Sequence, residues 1–316
     1  MKKFCFALCL SLPALLLAAC SPSVVYTAVQ DLHFEDATLK DCVVSEAEKN
    51  GWIDAGHVLK LHCVNPEGRK ITNLSGIKNL VNLRELDLAH NDISDISELA
   101  TLEKLENLVL DDNQVSEVPG DLSHVTITHL SLNHNGVSDL GPISTLHHLE
   151  TLSLASNRVS DLTPLQSTPF LRVLSLGENN ISDIAMLGAF ENLRELDLSK
   201  NQVRDISGLE NLHKLEHLYI ADNRIDDISS LSGLFELREI DLSNNQLTSI
   251  EPLIRLKNVW RLSLDQNQIE DLEPLLDFGE LEMLSLRGID NLPCGMLEHL
   301  KDEVGTDAVI TDQSCL

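Results

Sequence analysis

The stretch LRELDLAHNDI, Leu83 to Ile93, decides the fold because the chain keeps returning to it. It reappears as LENLVLDDNQV at Leu105–Val115, LETLSLASNRV at Leu149–Val159 and LRELDLSKNQV at Leu193–Val203. One asparagine closes every copy: Asn91, Asn113, Asn135, Asn157, Asn179, Asn201, Asn223, Asn245 and Asn267, each 22 residues from the next. Leu86 and Leu88 alternate with Glu85, Asp87 and Ala89, the period of a strand with one face buried. After the asparagine, Ile93, Ile96, Leu99 and Leu102 supply apolar groups for a return path around the back.

The pattern L-x-x-L-x-L-x-x-N is that of a leucine-rich repeat, in which each unit stacks on its neighbours. It predicts an α/β solenoid: a curved right-handed coil with a parallel sheet on its concave side, a 3₁₀ or extended convex side, and small helical caps at both ends. Pro142, Pro164, Pro252 and Pro274 share one return position, where a missing donor resists continuous α-helix. The asparagine row reads as structural, its amides bonding the backbone of a tight bend. Asp95, Asp139, Asp161, Asp183, Asp205, Asp227 and Asp271 share another position and read as caps of exposed N–H groups.

The return segment has the form I-x-D-[IL]-x-P-L, as in VSDLTPL at Val159–Leu165 and IEDLEPL at Ile269–Leu275. From about Ile71 to Leu292 this resembles the 22-residue repeats of bacterial internalins and of a nuclear regulatory subunit of a protein phosphatase. The resemblance implies a curved scaffold that binds other proteins on its concave strand face. The chain departs from internalins in lacking a C-terminal cell-wall sorting motif and in having cysteine-tied caps. Host-receptor binding is therefore not carried over, nor is the phosphatase partner, which belongs to an intracellular protein.

Outside the repeats the chain reads in segments. Residues 1–19 have a basic start, Lys2 and Lys3, and an apolar run too short for a comfortable membrane span, the layout of a secretory signal. Leu17-Ala18-Ala19-Cys20 resembles the bacterial lipobox, which implies acylation of Cys20; Ser21 after it resembles the sorting pattern of outer-membrane lipoproteins. A plain signal with an incidental cysteine is the alternative. Residues 20–34 read as a tether and 35–63 as an N-terminal cap of one helix, Ala37–Asn50, and a first strand holding Leu59, Leu61 and Cys63. Residues 64–292 form the solenoid and 293–316 a C-terminal cap opened by Pro293. Four cysteines remain after Cys5, Cys9 and Cys20, and they permit three pairings. Only Cys42 with Cys63 and Cys294 with Cys315 avoids crossing the rigid solenoid, and an exported chain keeps such bonds. The rival, a metal site, lacks a Cys-x-x-Cys pair or a histidine at ligand spacing.

Charge and motifs narrow the function. Removing the signal lowers Lys plus Arg from 23 to 21 against 50 Asp plus Glu, a net charge of −29. That excludes nucleic acid and charge-driven docking on anionic headgroups. No G-x-S-x-G, H-E-x-x-H, Walker or dinucleotide sequence is present, so the expectation is a non-enzyme without cofactors. His90, Asp112 and His134 occupy one position in three successive coils, a weak candidate for a divalent metal against the reading of three solvated rim residues. Aromatics are scarce, and Tyr219 and Trp260 fall at non-core strand positions two coils apart, beside His217 and Arg261, with Glu239 and Asp241 between. Interface hot spots favour Trp, Tyr and Arg, which makes these six residues the expected partner site. The alternative packs Trp260 on the lateral edge against Arg238 and Glu282. The sequence thus reads as a monomeric, protein-binding lipoprotein of the bacterial envelope, lipid-anchored in the outer membrane. The alternatives are an envelope enzyme or metal-dependent module at the His90 ladder, and a structural spacer.

Overall fold

The computed structural model describes residues 26–64, 68–120, 122–276, 278–289, 292–305 and 308–313. Cys20, the signal and Cys315 lie outside the described residues. Among the described residues twelve short strands form one parallel sheet in sequence order. They are β1 (Lys60–His62), β2 (Glu85–Asp87), β3 (Asn107–Val109), β4 (His129–Ser131), β5 (Thr151–Ser153) and β6 (Val173–Ser175). Then come β7 (Glu195–Asp197), β8 (His217–Tyr219), β9 (Glu239–Asp241), β10 (Arg261–Ser263), β11 (Met283–Ser285) and β12 (Val309–Ile310). From β2 to β11 each strand pairs with the residue 22 positions on, so identical repeat positions align as rows across the sheet. At a strand spacing of about 4.8 Å the sheet runs on the order of 50 Å.

Each coil buries a leucine wedge. Leu83, Leu86, Leu88, Ile93, Ile96, Leu99 and Leu102 are all buried in one core continuous with their neighbours'. A single coil would expose both flanks of that wedge, so stability is shared between stacked coils. The convex side is made of 3₁₀ turns such as Ser97–Thr101, Gly141–Thr145 and Thr163–Ser167, with Pro142 and Pro164 in their first residues. The aspartate row caps these turns. Asp95 accepts from the Ser97 N–H at 2.8 Å, Asp183 from Ala185 at 2.9 Å and Asp227 from Ser229 at 2.8 Å. Hydrogen bonds from Ser97 and Thr163 hold the Asp95 and Asp161 carboxyls below the ordinary aspartate range. Part of the chain's acidity is thus architectural.

The asparagines tie coil to coil. Asn179 Nδ2 donates to the carbonyls of Leu154, Leu176 and Gly177, and Asn179 Oδ1 accepts from the Val159 N–H at 2.9 Å. The residue before each asparagine, from His90 to Gln266, lies in the left-handed region with φ between 52° and 59°. None of the nine is β-branched, the side-chain type that this backbone tolerates least.

Both ends are closed. Helix α1 (Ala37–Asn50) is capped by Asp36, whose Oδ1 accepts from Thr38 and Leu39, and it ends at Gly51 with φ 70°. Asp36 Oδ2 also accepts from the Thr72 N–H and hydroxyl, fastening the helix to the first return segment. Cys42 and Cys63 are joined by a disulfide with their Cα atoms 5.9 Å apart. Cys294 is disulfide-bonded too, at the start of helix α2 (Cys294–Val304). Three expectations need correction. Residues 26–34 are not tether: Val29, Leu32 and Phe34 are buried in the cap, and Ala28 bridges Asp54. Leu59 is not a core position of the first strand but lies one residue before it, 45% exposed. The tail also adds a strand, β12, beyond the last recognisable repeat.

Candidate functional site

Rows that flank the buried strand leucines face the concave side, and towards the C-terminal end they hold His217, Tyr219, Glu239, Asp241 and Arg261. His217 aligns with Glu239, and Tyr219 with Asp241, across β8 and β9; Glu239 aligns with Arg261 of β10. The Tyr219 hydroxyl donates to Glu239 Oε2 at 2.9 Å. Burial, first, and then the Glu239 hydrogen bond and charge push the Tyr219 phenol well above its ordinary range, so it stays a donor. His217 Nδ1 lies 3.8 Å from Glu239 Oε1, is itself shut off from solvent, and has no hydrogen-bond partner among the described residues. The Glu239 side chain, 16% exposed, is therefore fixed by the Tyr219 hydroxyl, with the His217 imidazole alongside.

Beyond it opens a depression of about 290 Å³, bordered by Tyr219, Glu239, Asp241, Arg261, Met283 and Arg287, with Asp265 on its wall. Asp265 Oδ1 accepts from the Arg287 N–H at 2.7 Å, and Ser243 and Ser263 share a hydroxyl contact at 2.6 Å. Asp265 and Arg287 belong to a third concave row, two residues past the outer strand row. A sequence signal exists: Ala89, Ala155, Gly177, Ser199 and Ala221 make that row small, with charges only towards its ends.

Five of the six expected partner residues gather here; Trp260 does not. It precedes β10 and borders a separate groove with Arg238, Asn258, Glu280 and Glu282. That position forms a lateral row of alternating charge, in which Arg84 meets Glu106, Arg194 meets Glu216, and Glu216 lies 3.7 Å from Arg238. Trp260 takes the lateral place weighed against the concave one: it aligns with Arg238 just before the strands, while Arg261 and Ser263 hold the concave positions of β10. The His90 row also fails to assemble a metal centre. His90 Nδ1 lies 3.2 Å from Asp112 Oδ2, but among the described residues no three His, Cys, Asp or Glu side chains are placed to hold an ion. Asp111, beside them, is occupied by the Ser131 hydroxyl at 2.6 Å and the Asn133 N–H at 2.8 Å.

A family model described as Leucine Rich repeats (2 copies) matches residues 81–124, 125–167, 169–211, 191–234 and 235–277. The chain belongs to the leucine-rich repeat family. Its solenoid is similar to that of an internalin, InlF of Listeria monocytogenes, at 25% identity and a TM-score of 0.51, over 84% of this chain and 98% of that one. It is similar to a leucine-rich repeat protein of Leptospira interrogans at 24% identity and a TM-score of 0.61, over 72% of this chain and 66% of that one. A plant peptide hormone receptor in complex with RGF2 is similar at 18% identity and a TM-score of 0.60, over 75% of this chain and 44% of that one. The last two likenesses carry the fold alone. No curated protein sequence matches this leucine-rich repeat chain.

Proposed function

We propose that this is a non-catalytic leucine-rich repeat lipoprotein of a bacterial envelope, which binds a protein partner as a monomer on its concave face between β8 and β11. The observation that carries the reading is Tyr219 fixed by Glu239 beside the open Arg261 depression. An aromatic whose hydroxyl is already bonded loses little rotamer freedom on contact, and Tyr and Arg are the side chains that dominate interface energies. The open, shallow shape suits a protein surface rather than a small molecule, which needs an enclosing pocket. The repeat family and the internalin likeness support a binding scaffold, and the plant receptor offers a case in which a similar solenoid is in complex with RGF2.

Export and anchoring rest on Leu17–Cys20, with the mature chain starting at Cys20, the cap running to 63, the solenoid from 64 to 292 and the C-terminal cap from 293 to 316. No helix among the described residues is long and apolar enough to cross a membrane; the acyl chains proposed on Cys20 would supply the attachment. The test is affinity for the protein captured from envelope extract, compared among the wild type, Tyr219→Ala and Arg261→Ala with folding checked by circular dichroism. A loss of about 1–2 kcal/mol or more in each supports the site. Unchanged affinity in the double variant overturns it.

A further inference from the structure

We propose that the N-terminal cap presents an apolar contact surface, centred on Ile53 and Trp52, that rests on the lipid surface of the anchoring membrane. The inference rests on the Cys20 anchor reading. Exposed apolar side chains are not spread along this solenoid. Among the described residues six large ones are exposed, and four of them, Ile53, Leu59, Val64 and Val81, fall within the first coils. Ile53 is 75% exposed, the most of the six. Next to it Trp52, Val44 and Val29 line an apolar groove of about 410 Å³. Ile53 beside that groove, on an otherwise charged surface, marks a contact site; Val64 lies apart, in a polar pocket with Asp41, Lys49 and Arg69.

The way the chain leaves the cap identifies what covers this surface. The strap that leads back to Cys20 is hydrogen-bonded to the segment carrying Ile53: Val29 N–H donates to Ile53 O at 3.2 Å, and Ala55 N–H to Thr27 O at 2.9 Å. Tyr26 lies against Gly56, and its hydroxyl meets Asn82 Nδ2 at 3.3 Å, next to Val81. Five residues lie between Cys20 and Tyr26, six residue steps with a reach of at most about 20 Å even if fully extended. The sheet spans on the order of 50 Å, so acyl chains on Cys20 hold this end close to the bilayer and leave the other end untethered. Glu48 lines the groove and, among the described residues, no lysine or arginine does, so anionic headgroups are disfavoured and a zwitterionic interface fits. Tryptophan favours that depth of a bilayer. The contact would orient the solenoid, leaving β8 to β11 roughly 35–50 Å of sheet away from the membrane-side end.

The chain carries two tryptophans, Trp52 and Trp260, which makes the test direct. The acylated full-length protein is reconstituted in phosphatidylcholine vesicles whose acyl chains are brominated, and Cys20 acylation is checked by mass. In the Trp260→Phe variant, Trp52 emission should be quenched at least twofold more than Trp260 emission in the Trp52→Phe variant. Replacing Ile53 and Leu59 with Asp, both at exposed positions, should abolish the difference. An acylated chain in which Trp52 is quenched no more than Trp260 overturns the contact and leaves the anchor standing. A chain without acyl mass on Cys20 overturns the anchor, and the contact with it.

Discussion

Replacing Asn179 with Ala tests how the coils are held together. The side chain makes four bonds, and their loss is unequal. The Leu154 carbonyl keeps Asn157, and the Leu176 carbonyl keeps Asn201, because each of these leucine oxygens is shared by two asparagines. Gly177 O keeps the Ser156 N–H. Only the Val159 N–H, fully buried, loses its partner. One orphaned buried donor costs about 1–3 kcal/mol. Asn267 differs because the next repeat has Ile289 in the asparagine position. Among the described residues Leu264 O is held by Asn267 alone, and Leu247 N–H by Asn267 Oδ1. Asn267→Ala therefore orphans a donor and an acceptor and should cost roughly twice as much. Asn180, exposed one place beyond the ladder, should cost within about 0.5 kcal/mol when changed to Ala. Urea unfolding followed by circular dichroism gives all three values. The accounting is refuted if Asn180→Ala costs as much as Asn179→Ala, or if Asn267→Ala costs less than Asn179→Ala.

Two further perturbations probe the N-terminal cap. Cys42→Ser with Cys63→Ser opens a loop of 21-residue separation and should lower stability by about 3 kcal/mol, with hydrogen exchange rising first in α1 and β1 rather than mid-solenoid. Burial pushes the Asp36 carboxyl up, but hydrogen bonds from Thr72, Leu39 and Thr38 outweigh it and set its pKa below the ordinary value. A depressed folded pKa contributes stability above the unfolded value near 3.9, and that stability is lost as pH falls through the folded value. Asp36→Asn should therefore destabilise the cap at neutral pH and converge on the wild type as pH falls below about 4; a gap in melting temperature that is unchanged between pH 7 and pH 3 would contradict this.

The solenoid was legible because each unit repeats one physical solution, so nine aligned asparagines outweigh the ambiguity of any three-residue strand. The ends lack that redundancy. Val29, Leu32 and Phe34 are isolated apolar residues with no period, and only the packed cap reveals them as core. β12 has no leucine repeat and is fixed by pairing with β11. At the candidate site, alternation sets His217, Tyr219, Glu239, Asp241 and Arg261 on the strand face opposite the buried Leu218, Ile240 and Leu262. Reading Trp260 as concave runs against that alternation, which gives the concave positions of β10 to Arg261 and Ser263. Alternation passed over Asp265 and Arg287, which extend the face after the strand ends. The left-handed row left a trace in the absence of β-branched residues, which is easy to overlook among polar ones.

The most direct measurement of the proposed binding role is site-specific photocrosslinking in living cells. A photoreactive residue is placed at Asp241 on the concave face and, in a second protein, at Asp226 on the convex turn. The account predicts one discrete protein adduct from Asp241, lost when Tyr219 and Arg261 are changed to Ala, and none from Asp226. Adducts from Asp226 alone, or an Asp241 adduct indifferent to Tyr219 and Arg261, would contradict it.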